Sequence, residues 1–219
     1  MIKALKERAL LITSKREKIL VVSDIHLGFE LELRSRGIRI PFQTPKIWKK
    51  LSKLLRENGP QKVIILGDLK HTLVGFNREE TLEVRSFVER ILNYDVEVFL
   101  VTGNHDGNIS YMVEGLDVKI IPSKGSTSIG FFHGHALPAD KVLCANVLVM
   151  GHVHPMVELI NDTGFSFREP VWVKLNIKKI ERKYNKLPQE PFSKICWELK
   201  SKVLIICLLY TSDAADDGE

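Results

Sequence analysis

Cysteine is scarce: the 219-residue chain has three, Cys144, Cys196 and Cys207. Their wide spacing gives neither a disulfide framework nor a zinc site of paired cysteines, and reads as unpaired thiols. Long apolar runs are also missing. Val203 to Tyr210 and Ala9 to Ile12 fall well short of the roughly 20 residues that a membrane helix needs, so no membrane contact is expected. The first residues, Met1-Ile-Lys-Ala-Leu-Lys-Glu-Arg8, interleave charged and apolar side chains without a cleavable secretory signal. A cytoplasmic location is the expectation.

Acidic residues are outnumbered, 27 against 32 Lys and Arg, and the imbalance is local: residues 1–60 hold fourteen Lys/Arg against six Asp/Glu. A basic surface attracts polyanions, which makes nucleic acid the expected partner. Lys46, Lys49, Lys50, Lys53 and Arg56 nevertheless share one helical segment, where a solvated face would carry them in any case. With 44% hydrophobic and 27% charged residues, the composition is that of a soluble domain with a substantial core.

Apolar runs predict strands at Arg8–Ile12 and Lys18–Ser23, then an irregular segment from Glu30 to Gln43. A helix follows, with Thr44 as N-cap and Pro45 at the first helical position, stopped by Gly59-Pro60. Next come a strand at Lys62–Leu66, a helix at Arg78–Asn93 with Leu82, Phe87, Val88, Ile91 and Leu92 facing inward, and a strand at Glu97–Thr102. Strands alternating with helices imply an α/β sheet. Beyond Asp117 the short strands Val118–Ile121, Ser128–Phe132 and Val147–Met150 imply a second, more antiparallel sheet, giving a layered α/β sandwich of two mixed sheets flanked by helices. After Lys178 charges and prolines erase any period, and from Cys207 the sequence turns acidic and low in complexity. Residues 207–219 read as a non-native or disordered tail.

Five short motifs each follow an apolar strand: Asp24-Ile-His26, Gly67-Asp68, Gly103-Asn104-His105-Asp106, His133-Gly-His135 and Gly151-His152-Val-His154. In open α/β sheets, loops at that edge converge on one crevice. All seven histidines lie in these motifs or within three residues of them. Asp, His and Asn without Cys form a mixed oxygen and nitrogen donor set suited to manganese, iron or zinc. Two ions sharing a carboxylate, about 3.5 to 4 Å apart, would clamp an in-line displacement at phosphorus. Glycine before Asp68, Asn104 and His152 fits a backbone that must turn sharply there.

In this order the motifs resemble the calcineurin-like metallophosphoesterase superfamily, from Ala9 to about Lys174. The resemblance implies that Asp24, His26 and His154 bind one metal and Asn104, His133 and His152 a second, with Asp68 bridging both. It gives His105 a catalytic role, stabilising the developing phosphorane charge or protonating the leaving oxygen, and implies two divalent ions, Mn2+ foremost, with Fe, Zn or Mg as alternatives. His71 and His135 would either orient these ligands or touch substrate, and Asp106, in the same supporting class, would orient His105 or cap the segment that follows it.

Ser23 to Glu30, Arg36-Gly-Ile-Arg-Ile-Pro41 and Gly67-Asp-Leu-Lys-His71 are similar to the archaeal and bacterial SbcD/Mre11-related phosphoesterase branch, associated with DNA-repair helicases and ligases. The implied domain is 1–177, followed by a degraded or truncated C-terminal part at 178–206. The expected function is phosphodiester hydrolysis by a DNA-repair-associated nuclease. A small-molecule phosphodiesterase or phosphatase, and a non-catalytic scaffold on the same fold, are the alternatives.

Overall fold

The computed structural model describes residues 1–75, 77–126, 128–176 and 203–206. In chain order its first part comprises β1 (Ile2–Ala4), β2 (Leu10–Thr13), β3 (Lys18–Val22), α1 (Phe29–Ser35), α2 (Thr44–Asn58), β4 (Lys62–Leu66), α3 (Arg78–Leu92), β5 (Glu97–Val101), α4 (Ile109–Met112) and β6 (Val118–Ile121). Then follow β7 (Ser123–Gly125), β8 (Ile129–Phe132), α5 (Asp140–Leu143), β9 (Val147–Met150), β10 (Met156–Ile160), β11 (Ser166–Pro170), β12 (Val173–Asn176) and β13 (Val203–Ile206).

Strands β1 to β6 lie in sequence order in a six-stranded sheet, antiparallel from β1 to β3 and parallel from β3 to β6. A five-stranded sheet has the order β12-β13-β9-β8-β7, with a parallel centre and antiparallel edges. The alternation of side chains along each strand explains why the central strands of both sheets are apolar on both faces. Leu20, Val22, Val63, Ile65, Val98 and Leu100 face α2 and α3, packing on Leu51, Leu54, Phe87 and Val88. Val21, Ile64, Leu66 and Val101 face the other way, onto Phe131, Val149 and Ile205 of the second sheet. The outer face of the second sheet is covered by Val142 and Leu143 of α5, against Phe132 and Leu148. Strands buried on both sides need continuous apolar runs, and four layers result: helices, sheet, sheet, helix.

Several expectations are corrected. Val118–Ile121 pairs with β5 and closes the first sheet; shortness alone could not show which neighbour completes its hydrogen bonds. The segment expected to be irregular from Glu30 begins with α1. Leu82 is 58% exposed rather than inward. The buried stripe of α3 is Glu80, Val84, Phe87, Val88 and Ile91, and it starts on a carboxylate that an apolar pattern does not count. Thr44 is not the cap of α2: Gln43 holds that position, and the Thr44 hydroxyl donates to Glu83 Oε1 at 3.0 Å.

Cys144 is disulfide-bonded, because separation in sequence sets no limit on proximity in a fold. The hairpin β10–β11 had no counterpart in the sequence reading. It stands apart as a two-stranded sheet with exposed Met156, Leu159, Ile160 and Phe167. The expected C-terminal part 178–206 and tail 207–219 lie, apart from β13, outside the described residues.

Candidate metal centre

Strands β3, β4 and β5 are parallel, so the loops that follow them open at one edge of the first sheet. The loops after β8 and β9, also parallel to each other, come to the same cleft from the second sheet. The convergence shows in contacts across the chain. The His152 N–H donates to Asp24 Oδ1 at 3.1 Å, and the His105 N–H donates to Asp68 Oδ1 at 2.9 Å.

Asp24, His26 and His154 offer ligand atoms within 4.8 Å of one another, as do Asp68, His133 and His152. His26 Nε2 lies 3.8 Å from Asp68 Oδ2, joining the two groups. Asp24 and Asp68 are buried, and His133 is buried with them. Asn104 is exposed on the loop that precedes His105, and His152 and His135 are exposed on the opposite side.

The backbone at these residues is unusual. Asp24, His26, Asp68, His152 and His154 have φ of 55°, 51°, 52°, 68° and 46°, in the left-handed region that costs a non-glycine residue about 1 kcal/mol or more. Strain gathered on five ligand-type residues of one cleft is the pattern of a functional site. The preceding glycines need a corrected explanation. Only Gly67 has positive φ, at 84°. At Gly103 and Gly151 the requirement is space: a Cβ would sit 2.1 Å from Asp68 Oδ1 and 2.0 Å from Ser23 Oγ respectively.

His133 donates Nδ1–H to Leu66 O at 2.9 Å, which leaves Nε2 facing inward. That nitrogen is shielded from solvent, makes no hydrogen bond, and lies 3.1 Å from Asp68 Oδ2. His154 Nε2 is likewise shielded from solvent without a hydrogen bond, 3.0 Å from Asp24 Oδ1. An imidazole nitrogen facing a carboxylate at this distance needs a proton or a cation with it, and divalent cations fit both contacts. Protons compete for the same places. Burial alone would lower His133, but the Asp68 carboxylate outweighs it and raises the imidazole above its usual range. Burial would likewise raise Asp68, but the His133 imidazole and the His105 N–H hold it down at about 2. Burial pushes His26 down to about 4 against the attraction of Asp68, so this ring is neutral at physiological pH.

Asp106 does not orient His105 directly. Its buried carboxylate accepts the N–H groups of Asp68 (2.8 Å), Leu69 (2.9 Å), Lys70 (3.4 Å) and Gly103 (2.8 Å), clamping the loops after β4 and β5 together. Glu80 Oε1, buried on α3, accepts the N–H groups of His71 (3.0 Å) and Thr72 (2.7 Å). His105 Nδ1 bonds to the carbonyl oxygen of His71, which commits its proton and leaves Nε2 available. The His71 side chain meets His26 and Glu32. The His135 ring lies 5.4 Å from that of His133, and burial lowers its pKa.

Sequence reasoning missed Ser23, Glu32 and Glu80. Ser23, whose hydroxyl bonds to Asp24 and lies 3.1 Å from Leu66 O, could have been found from its place beside the first motif. Glu32 and Glu80 left no signal, being ordinary helical glutamates in sequence.

A sequence model of the calcineurin-like phosphoesterases matches residues 17–177, most of the chain. The chain belongs to that family. This phosphoesterase is therefore a phosphoester hydrolase of a divalent-metal-dependent family. Its fold is shared with a nuclease, MPE, from Pseudomonas putida, at 19% identity and a TM-score of 0.59, over 97% of this chain and 84% of that one. Yfce, a phosphoesterase from E. coli, aligns at 23% identity over 66% of this chain and 74% of its own, with a TM-score of 0.40. No curated protein matches the sequence. Among the described residues no helix is long and apolar enough to cross a membrane.

Proposed function

We propose that this phosphoesterase hydrolyses phosphodiester bonds in nucleic acid with two divalent ions, manganese foremost. Asp24, His26 and His154 would hold one ion, Asn104, His133 and His152 the other, and Asp68 both. The observation that carries the reading is the pair of solvent-shielded imidazole nitrogens without hydrogen bonds, His133 Nε2 and His154 Nε2, set against the Asp68 and Asp24 carboxylates. When bound, the ions would polarise the phosphoryl group and neutralise charge developing in an in-line displacement.

The chain's own residues do the rest. The buried Asp106 clamp and the Glu80 carboxylate fix the loops, and so set the positions of Asp68 and His105 before substrate arrives, which avoids reorganisation during reaction. His105, its Nδ1 proton committed to His71 O, has Nε2 left; in the imidazolium form that atom would pass its proton to the departing oxygen, and the ring would be left neutral.

Two features support a nucleic-acid substrate: the basic excess in residues 1–60 and the fold shared with a Pseudomonas nuclease. Fold does not settle substrate, so the test is direct. Purified protein with Mn2+ is offered linear and circular single-stranded DNA and a generic phosphodiester. Cleavage of DNA that chelator abolishes supports the reading; turnover of the generic ester alone makes this a small-molecule phosphodiesterase. Replacing Lys46, Lys49 and Lys50 should flatten the salt dependence of DNA binding through lost counterion release.

By family resemblance the partner would be a DNA-repair helicase or ligase; the expected site of action is the cytoplasm. Fractionation of native cells tests the location.

A further inference from the structure

Glu32 lies on α1, in the stretch where sequence gave no reason to look. Its side chain is 42% exposed, yet Oε2 reaches 2.6 Å from Nε2 of His71, whose side chain is only 15% exposed. On its other side, His71 Nδ1 is 3.3 Å from His26 Nδ1. The three groups form a file from solvent to the metal cluster: carboxylate, imidazole, imidazole.

The protons along this file follow from donor chemistry. An ionised carboxylate only accepts, so His71 must donate from Nε2. A neutral His71 then has a bare Nδ1, and the contact between the two Nδ1 atoms needs a proton supplied by His26. With its proton on Nδ1, His26 presents a bare Nε2, the atom 3.8 Å from Asp68 Oδ2. Without Glu32 the file can reverse. His71 would carry its proton on Nδ1 and donate to His26, whose own proton would move to Nε2, where a cation would have to displace it.

We propose that Glu32 is a positioning residue: through His71 it fixes the tautomer of His26 that can bind a metal ion. The inference rests on the reading of His26 as a ligand. Metal-binding histidines are ordinarily held by an acceptor on their other nitrogen; here the acceptor is itself an imidazole, and Glu32 sets its direction. His26, His71 and His105 also lie close enough to share a cation of their own. That arrangement would require His26 to bind metal through both nitrogens, losing its last N–H. A shared proton is the simpler occupant.

The test compares the full-length protein with Glu32→Leu and Glu32→Gln. In the metal-free proteins, nitrogen NMR of the imidazoles reads the tautomers. Mn2+ titration followed by electron paramagnetic resonance reads the affinities of the two sites. The expected result is a Nδ1–H tautomer at His26 in the wild type and a mixture of tautomers in Glu32→Leu. One of the two Mn2+ affinities should fall about 10- to 100-fold, with partial recovery in Glu32→Gln, whose amide oxygen can still accept. Melting temperature should barely change, since Glu32 is largely exposed.

An unchanged His26 tautomer in Glu32→Leu overturns the proposal, as does a third bound ion lost on His71→Ala. Failure of the functional reading looks different. A wild type that holds both ions but cleaves no phosphodiester would remove the nuclease and leave the Glu32 effect on tautomer and affinity intact.

Discussion

On the side of the six-stranded sheet, the loops after β4 and β5 are tied together through buried carboxylates. Asp106 accepts four backbone N–H groups and Glu80 two. On the side of the five-stranded sheet, His135 and His152 stand exposed. That side borrows its anchors from the first: His133 donates to Leu66 O and the His152 N–H to Asp24. One half of the cleft is thus built before any ligand arrives, and the other leans on it. The comparison teaches where rigidity is needed. The residues argued to be shared between ions, or to act on substrate, sit on the clamped side, and the open side supplies histidines that can settle onto what is bound.

The largest expected effect comes from the residue on which both halves depend. Asp68→Asn should abolish turnover and weaken both ions, because the single carboxylate faces His26 and His133 alike. Retention of two ions per chain, measured by elemental analysis, would disprove a shared ligand.

His105→Ala probes the clamped half without removing a ligand. Turnover should fall about 10²- to 10⁴-fold with metal content unchanged, and fall less for a substrate whose leaving group is already acidic. Rates with two leaving groups, alongside metal stoichiometry, check this; wild-type rates on both substrates would take His105 out of the chemistry.

Stability should separate the halves directly. Asp106→Ala strips four amides of their acceptor and should cost about 3 kcal/mol or more, each buried donor left unpaired costing ~1–3 kcal/mol. His152→Ala, at an exposed position, should alter the stability of metal-free protein by no more than about 0.5 kcal/mol. Denaturant titration of both variants tests the contrast, and equal losses would erase it.

The last effect is one of pH. His26 is held at about 4 in the folded protein against an ordinary value of 6.5. Its neutral form is compatible with burial, so the contribution is fully present above about pH 6.5. It is lost as pH falls towards about 4, because the unfolded chain takes up the proton first. His133, raised by Asp68, works in the opposite direction, so the comparison is between wild type and His26→Gln. Melting curves of the metal-free proteins from pH 7 to pH 4 should converge as the wild type loses stability; parallel curves would mean that His26 is not held neutral.

Much of this was legible in the chain. The strands β3, β4, β5, β8 and β9 announce themselves because burial on both faces demands continuous apolar runs, and the five motifs are visible because each directly follows such a run. The two-sheet α/β architecture follows from the same alternation. What sequence could not supply was partnership. Whether Val118–Ile121 closes the first sheet or opens the second depends on which edge is vacant. Whether Leu82 or Glu80 faces inward depends on a buried carboxylate having two amides to satisfy. The disulfide at Cys144 depends on proximity that spacing does not encode.

The sequence by itself therefore determined the residue chemistry: which side chains can accept a cation, and that they follow strands whose ends can share an edge. Tertiary structure alone decided which nitrogen of His133 and of His105 is committed to a backbone carbonyl. It also decided that Asp106 locks two loops rather than orienting His105, and that an unremarkable helical glutamate, Glu32, reaches His71. The physical reason is that strand and helix patterns arise from local periodicity, whereas the proton on an imidazole is fixed by whichever acceptor the fold brings to its other side.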